Sequence, residues 1–249
     1  GLLPGHISFL SRTDEYALHT KILTGSLVLA VCFSGTVQAA LQGRDLNGSI
    51  DSFEAYYDTD LNITWLADAN YAKTSGHDDN GQMTWADANT WVSNLRFTDG
   101  VNVFENWRLP STLQPDASCR AQSSGASFGY DCTDSELGHL FYSELGGLVG
   151  LSIWLSSDPD LDKFTNIQSH VYWSGSQNVA VTDQAWSFYM NDGFQYTEHK
   201  VDSHYAWAVH DGDVAAVPEP ETYAMMLAGL LFIGLAKRHN NKTIVRKTP

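Results

Sequence analysis

The chain has 249 residues, with 14 Lys or Arg against 29 Asp or Glu, and a formal net charge of -15 at pH 7. Hydrophobic residues make up 43% of it, a share that excludes a wholly disordered chain. The acidity argues against nucleic acid as a partner, because so acidic a chain repels phosphate. Residues 41–217 contain 7 basic and 25 acidic side chains, whereas residues 237–247 contain five basic side chains and no acidic one. This asymmetry indicates a targeting segment at the C-terminal end.

A secretory signal peptide is predicted near the N-terminal end. Lys21 precedes an apolar run over residues 22–33, and small residues then lead to Ala39 and Ala40. A basic start, a short apolar core and a small-x-small end are the three parts of such a signal, so we expect cleavage at Ala39 or Ala40. The run is shorter than the roughly 20 residues that a transmembrane helix needs. A buried core helix is the alternative interpretation.

The stretch before this signal is expected to have no structural role. The first methionine is Met83, and residues 1–20 have mixed polarity without a clear period. We therefore expect translation to begin near Leu18, at an alternative start codon, so that residues 1–17 precede the true start. On this interpretation residues 1–40 comprise an upstream artefact and the signal peptide.

A single domain is predicted over residues 41–217, because this stretch contains no Pro-rich linker, repeat or low-complexity tract. A hairpin should open it, with an aromatic-rich strand over 53–57, a polar turn at 58–60 and an alternating strand over 61–65. Alternation of apolar and polar residues is typical of a half-buried strand.

Two helices are expected next. The first begins at Thr84, where Thr84-x-x-Asp87 resembles a capping box and apolar residues then recur at helical spacing. The second should begin at Thr133-x-x-Glu136, and its apolar residues share one face until a Gly-Gly pair at 146–147 ends it.

The last third of the domain is predicted to be sheet. A short strand is expected over 171–174, a hairpin around Asn191-Asp192-Gly193, and an alternating strand over 205–209. Two main helices among antiparallel strands and hairpins predict an α+β fold.

Cys119 and Cys132 are predicted to form a disulfide. They are the cysteines left once a signal peptide containing Cys32 is removed, and they bracket a loop rich in Ser and Gly. Closing such a loop contributes about 3 kcal/mol in the chain-entropy model. The alternative, a thiol or metal pair, has no C-x-x-C spacing to support it.

Several segments of the domain resemble the Lcl C-terminal domain family, named after the Legionella collagen-like adhesin. The most specific is Trp-Arg-Leu-Pro-Ser at 107–111. The matching segments span about 56–213 and are 60–65, 68–70, 83–86, 107–111, 136–139, 172–174 and 206–209. The resemblance implies a single lectin-like α+β domain, similar to C-type lectins and formylglycine-generating enzymes, and adhesion to sulfated polysaccharide.

This sequence departs from that family's adhesin in two ways, because it has no collagen-like Gly-x-x region and its body is strongly acidic. The working cysteines of the formylglycine-generating enzymes have no counterparts here, since pairing explains Cys119 and Cys132. We therefore expect no catalytic residues and no enzyme activity, because function depends on the site and not on the fold.

A carbohydrate-binding surface is suggested by eight tryptophans, all within the domain, because aromatic faces stack on sugars. Alternating and helical spacings assign most of them to the core. Trp154 lies in an irregular stretch and is the best candidate for exposure. With the acidic cluster that follows it, the candidate ligand-binding set is Trp154, Asp158, Asp160 and Asp162.

Two acidic clusters, at 58–62 and 158–162, match the first three positions of a calcium loop. Neither has the later Gly and Glu, so neither is an EF-hand. A looser calcium site at Asp158, Asp160 and Asp162 is the alternative to a solvated acidic turn, and no other cofactor is expected. No zinc site is predicted, because ligand-type spacing is absent from His199, His204 and His210.

The segment 218–249 resembles the PEP-CTERM sorting signal of Gram-negative bacteria. Pro218-Glu219-Pro220 precedes fourteen apolar residues at 223–236, which give roughly 21 Å of helix, short for a permanent span. A basic pair follows and should stay on the cytoplasmic side. The predicted anchor residues are Tyr223, Leu227, Leu231, Phe232, Leu235, Lys237 and Arg238.

This second resemblance implies that an exosortase-type membrane peptidase recognises the tripeptide. The precursor would be held transiently in the inner membrane, and the cargo of such signals is typically linked to exopolysaccharide or biofilm matrix. A bare tail anchor is the alternative, since hydropathy alone does not exclude it.

These features together predict an exported cell-surface or matrix protein with one lectin-like domain that binds a carbohydrate or exopolysaccharide. One alternative is an enzyme acting on matrix polymers, which would need clustered carboxylates or a metal in one cleft. Another is a purely structural component whose acidic body binds cations or keeps the protein soluble.

Overall fold

The computed structural model describes residues 40–49, 51–123 and 125–214, together with position 230. The predicted signal peptide and PEP-CTERM segment therefore lie outside the described residues, apart from Ala40 and Leu230. Within the described part of the chain, no helix has both the length and the apolar character needed to cross a membrane. The predicted fourteen-residue C-terminal helix stays a prediction.

Two five-stranded sheets contain most of the strands in the described structure. The first has the strand order β1 (Leu41–Arg44), β2 (Ala55–Asp58), β3 (Ile63–Leu66), β14 (Val209–Asp211) and β7 (Trp107–Arg108). The second has the order β12 (Phe194–His199), β11 (Gln184–Tyr189), β10 (Val171–Gln177), β13 (His204–Tyr205) and β4 (Gln82–Met83). Two small sheets pair β5 (Phe97–Thr98) with β6 (Val103–Phe104), and β8 (Ala121–Ser123) with β9 (Ala126–Phe128). The domain is mainly β, with few helices.

Both predicted hairpins are confirmed. In the β2–β3 turn, the carboxylate of Asp58 accepts the backbone N–H groups of Asp60 and Leu61, each at 3.0 Å. This explains why an acidic residue ends β2, since a short carboxylate can satisfy turn amides locally. The β11–β12 turn contains Gly193 at φ 83°, a left-handed conformation that glycine adopts without strain.

The first predicted helix is confirmed as α2 (Trp85–Ser93). Within residues 40–214, as far as they are described, it is longer than the other two α-helices, α1 (Tyr71–Thr74) and α3 (Glu136–His139). The hydroxyl of Thr84 accepts the backbone N–H of Asp87 at 3.3 Å, as the capping pattern predicts. Its buried side is Ala88, Trp91 and Val92, which therefore pack into the core.

The second predicted helix starts later than its capping pattern suggested. Its N-cap is Ser135 and not Thr133, and α3 continues as a π-helix over Leu140–Glu144. The predicted capping box is wrong because the Glu136 carboxylate is engaged elsewhere, with Arg108 at 2.7 Å. Its apolar face is nevertheless buried as predicted.

The prediction of one continuous strand over 205–209 is also wrong, because this stretch is divided between two strands in different sheets. The chain leaves the second sheet after β13, passes through 206–208, and joins the first sheet at β14. All three residues of this passage are buried, and Trp207 donates from Nε1 to the carbonyl of Leu66 at 2.7 Å. A segment that crosses between two sheets is covered on both sides. The alternation of residue types over 205–209 therefore does not reveal that the chain changes sheet here.

The core between the sheets is aromatic. The ring of Trp207 contacts those of Trp65, Phe164 and Tyr172 at centroid distances of 5.6, 5.2 and 5.7 Å. Trp65, Trp207 and Tyr172 have no exposed surface. Aromatic clusters of this kind supply much of a small domain's apolar burial.

Candidate ligand-binding surface

Trp154 stands apart from the other tryptophans, as predicted. It is 63% exposed, whereas Trp85 is half-buried and the remaining six are buried. Three leucines of the same stretch are exposed as well, namely Leu148, Leu151 and Leu155. We call these four side chains the Trp154 ledge. The leucines were missed from the sequence, because an apolar residue in an irregular stretch has no period that reveals its exposure.

The backbone of the ledge is fixed to the β11–β12 hairpin. The N–H of Gly150 donates to the carbonyl of Asp192 at 2.8 Å, and the N–H of Ile153 donates to that of Met190 at 2.9 Å. Ile153 itself is fully buried and begins a 3-10 turn over Ile153–Leu155. The exposed side chains are therefore carried by an anchored loop.

The indole of Trp154 is fixed at its polar edge. Its Nε1 donates to the carbonyl of Ile167 at 3.1 Å, and its backbone N–H donates to the hydroxyl of Ser152 at 3.3 Å. The Ser152 hydroxyl in turn lies 2.7 Å from that of Ser169. A flat apolar ring held this way loses little conformational entropy when a ligand covers it.

The structure does not bring the acidic candidates to a common point. Asp158 accepts the backbone N–H of Asp160 at 2.9 Å, and Asp160 forms an ion pair with Lys163 at 2.9 Å. Asp162 is exposed. Among the described residues, the groups whose donor atoms lie within 4.8 Å of one another do not include these three. The calcium site stays a prediction.

The three histidines considered for zinc are also kept apart. His204 lies on β13 in the second sheet and His210 on β14 in the first. His199 is exposed, 3.5 Å from a carboxylate oxygen of Asp183. His204 lies instead beside Glu198 and Asp202, and burial lowers the pKa of its ring.

A buried polar cluster was missed altogether. Nε2 of His139 lies 3.2 Å from Oε1 of Glu144 and 4.0 Å from Oδ2 of Asp58. The hydrogen bond to Glu144 raises the pKa of His139, and burial raises the pKa of Asp58. Residues five apart face different sides of an α-helix, but the π-helical turn brings His139 and Glu144 together.

A groove of about 500 Å³ beside α2 offers a different kind of surface. Polar residues dominate its lining, including His77, Asp78, Asp87 and Asn94. Trp91 borders it but is only 4% exposed, so the indole offers no open face. Of the two surfaces, the Trp154 ledge is the one that presents an aromatic face.

Residues 54–210 match the family model of the Lcl C-terminal domain. The chain belongs to this family. A second match, over residues 216–239, is to the PEP-CTERM protein-sorting motif. This motif marks an exported, membrane-anchored precursor and is recognised by an exosortase. Searches of curated proteins and of solved structures found no match.

Within the Lcl domain, the arginine of the Trp-Arg-Leu-Pro motif has a structural role. Arg108 on β7 donates to both carboxylate oxygens of Glu136 on α3, at 2.8 and 2.7 Å, and to Asp211 on β14 at 2.8 Å. Glu136 also accepts the backbone N–H of Ser111 at 2.7 Å. Arg108 therefore ties a strand pair of the first sheet to α3 through a bidentate bond.

The predicted disulfide of the Lcl domain is present between Cys119 and Cys132. Its loop is also held by Asp116, which is fully buried and accepts the hydroxyl hydrogen of Ser135 at 2.8 Å. The cysteines are thus part of the framework. Ligand binding by Trp154, Asp158, Asp160 and Asp162 is untested by these contacts and stays a prediction.

Proposed function

We propose that the chain is an exosortase-sorted protein of the cell surface or extracellular matrix of a Gram-negative bacterium, whose Lcl domain binds a glycan of the exopolysaccharide or biofilm without chemical turnover. The binding surface is the Trp154 ledge. The observation that carries this proposal is the exposed indole, fixed at its Nε1 edge, with three exposed leucines in the same stretch of chain.

The chemistry of the ledge fits the apolar face of a sugar ring. Four large apolar side chains are exposed within residues 148–155, and concentrations of exposed apolar surface typically mark interaction sites. A rigid aromatic anchor gives contact area at low entropic cost, which suits a polar and well-hydrated ligand. Two carboxylates, Asp158 and Asp162, follow Trp154 in the sequence. In this proposal they supply hydrogen-bond acceptors for sugar hydroxyls.

The charge of the domain favours an uncharged glycan over a sulfated one. Residues 41–217 carry a net charge of -18, from 7 basic and 25 acidic side chains. Like charges on the two partners slow association and weaken binding at low salt. We therefore expect neutral polysaccharides to bind better than heparin-like ones.

The ionisable groups around His139 are used in a way that favours a binding role over catalysis. One oxygen of Asp58 is committed to the amides of its own turn, and His139 is bonded to Glu144. A general acid or base needs a free atom within reach of substrate. These groups instead satisfy one another inside the fold.

A glycan array tests the binding proposal directly. The full-length chain, purified in detergent, should bind neutral glycans, and Trp154→Ala should reduce that signal by about tenfold or more. Val179→Ser is the matched control, since it alters a 90% exposed apolar residue in the β10–β11 turn. Equal binding by wild type and Trp154→Ala would refute the ledge, and absence of any glycan signal would favour the structural-matrix alternative.

The sorting part of the proposal depends on Pro218 and Pro220. Because proline disfavours helix at and before its own position, the sequence predicts that the tripeptide stays outside the membrane helix, where an exosortase could reach it. Cleavage nearby would release the domain to the surface or matrix. The basic residues that follow the apolar segment fix its topology.

Fractionation of cells tests this step. The double variant Pro218→Ala/Pro220→Ala should be exported but accumulate as a longer, membrane-bound form. Thr222→Ala is the neighbouring control and should mature normally. A double variant with the mass and distribution of wild type would mean that the tail is an ordinary anchor.

A further inference from the structure

His204 is held in a position that its protein neighbours do not satisfy. Both ring nitrogens, Nδ1 and Nε2, are shielded from solvent and have no hydrogen-bond partner among the described residues. The ring packs edge-on against Trp173 at a centroid distance of 4.7 Å, and its backbone pairs with that of Met83. Shielded polar atoms without a hydrogen-bond partner are unfavourable, so the position of this ring calls for an explanation.

Two carboxylates converge on this ring. Glu198 comes from β12, and Asp202 comes from the turn that leads into β13. One donor atom from each of the three side chains lies within 4.8 Å of the other two. One oxygen of Glu198 accepts the hydroxyl of Tyr189, which leaves its other oxygen available. The Asp202 carboxylate has no hydrogen-bond partner among the residues that the structure describes.

We propose that Glu198, Asp202 and His204 form a zinc site. An imidazole nitrogen and two carboxylate oxygens are a donor set that zinc accepts, with water as the fourth ligand. Tetrahedral zinc separates its donors by about 3.4 Å, and the three donor atoms, all within 4.8 Å of one another, need at most a small side-chain adjustment to reach that spacing. Asp202 is exposed in a turn and can make that adjustment. Calcium is disfavoured, because it takes oxygen ligands.

The other two clusters of this kind among the described residues are explained without a metal. In one, the sulfurs of Cys119 and Cys132 are joined in a disulfide. In the other, His139 is directly hydrogen-bonded to Glu144. Within the described part of the chain, the cluster around His204 is the one whose donor atoms meet without bonding to one another.

The zinc site would have a structural consequence that is independent of glycan binding. Glu198 lies on an edge strand of the second sheet, whereas His204 lies on a strand next to β10. A metal between them would tie the edge strand, the turn and β13 together. We expect zinc to raise the melting temperature and to protect this turn from proteolysis.

Zinc titration of the metal-free full-length chain tests the site. The protein is purified in detergent with a tag that contains no histidine, then stripped with a chelator. We expect one equivalent of Zn²⁺ to bind, with affinity reduced about tenfold or more in Asp202→Asn and in His204→Phe. His199→Ala is the control, because it removes an exposed imidazole from the same part of the chain and should leave affinity unchanged.

Cobalt gives a second readout that does not depend on stability. Co²⁺ in the wild-type site should give visible absorption bands of a low-symmetry, four-coordinate centre, and Asp202→Asn should lose them. Asp202 is exposed, so this variant is expected to fold even if His204→Phe does not. The proposal is overturned if wild type binds no zinc, if Asp202→Asn and wild type bind equally, or if Ca²⁺ displaces zinc at equal concentration.

Discussion

The interior around Trp207 and the surface around Trp154 use the same side chain in opposite ways. Trp207 has no exposed surface and is packed among three aromatic rings, whereas Trp154 is 63% exposed and fixed only at its Nε1 edge and backbone. The motifs that place the chain in the Lcl family, including Arg108 and Glu136, belong to the interior framework. Arg108 and Glu136 therefore maintain the fold, while a loop outside those motifs carries the proposed binding face.

The largest expected effect comes from the interior. Trp207→Ala should lower the free energy of unfolding by about 4 kcal/mol, because it leaves a cavity at the junction of two sheets. Trp154→Ala should change it by about 0.5 kcal/mol or less, since the indole is mostly exposed. Urea denaturation of both variants measures the comparison. Similar losses in the two would mean that the ledge belongs to the framework.

A smaller but still substantial effect is expected at Arg108. Arg108→Ala should destabilise the domain by about 3 kcal/mol, because it strands the largely buried Glu136 carboxylate. Arg96→Ala is the matched control, since Arg96 and its partner Glu105 are both exposed and such pairs contribute about 1 kcal/mol or less. Chemical denaturation of both variants measures the difference in their free energies of unfolding. Equal effects would contradict the framework role of Arg108.

The buried His139 cluster should make stability depend on pH. Its hydrogen bond with Glu144 raises the pKa of His139 above 6.5, burial opposes this, and the charges of Asp58 and Asp60 add to it. A base whose pKa is raised on folding stabilises the fold fully below its unfolded pKa, and that contribution is lost as pH rises through the folded pKa.

Unfolding of wild type and His139→Gln from about pH 5 to pH 9 measures this contribution. The wild type should be the more stable by up to about 1–2 kcal/mol at the acidic end, and the advantage should shrink as the pH rises. A constant difference across the range would mean that the ion pair does not form.

The smallest effect is expected on the ledge itself. Leu155→Ser should leave the free energy of unfolding within about 0.5 kcal/mol, because 70% of the leucine surface is already exposed. It should still weaken glycan binding, since it removes apolar contact beside Trp154. A loss of stability without a loss of binding would argue that the leucine packs into the domain.

Local patterns were enough to predict the elements that are stabilised locally. The β2–β3 and β11–β12 hairpins and the Thr84 cap depend on short-range hydrogen bonds between residues of fixed type. The disulfide also followed from composition and compartment. The exposure of Trp154 followed from its irregular surroundings.

Long-range bonds account for what the sequence concealed. Glu136 was expected to cap its helix, but Arg108, 28 positions away, takes the carboxylate. The alternation over 205–209 hid a change of sheet, because Trp207 is covered on both sides. His139 and Glu144 meet only through a π-helical turn, and Glu198 and His204 meet only through the path of the chain between β12 and β13.

Tryptophan fluorescence during glycan titration tests the central claim most directly. Trp154 is the most exposed of the eight indoles, so its emission should dominate the long-wavelength edge, and a bound sugar should shift that edge to the blue. The account predicts that Trp154→Phe abolishes the shift while the unfolding midpoint stays unchanged. A blue shift of equal size in Trp154→Phe, or saturable glycan binding with no spectral change in wild type, would contradict binding at the Trp154 ledge.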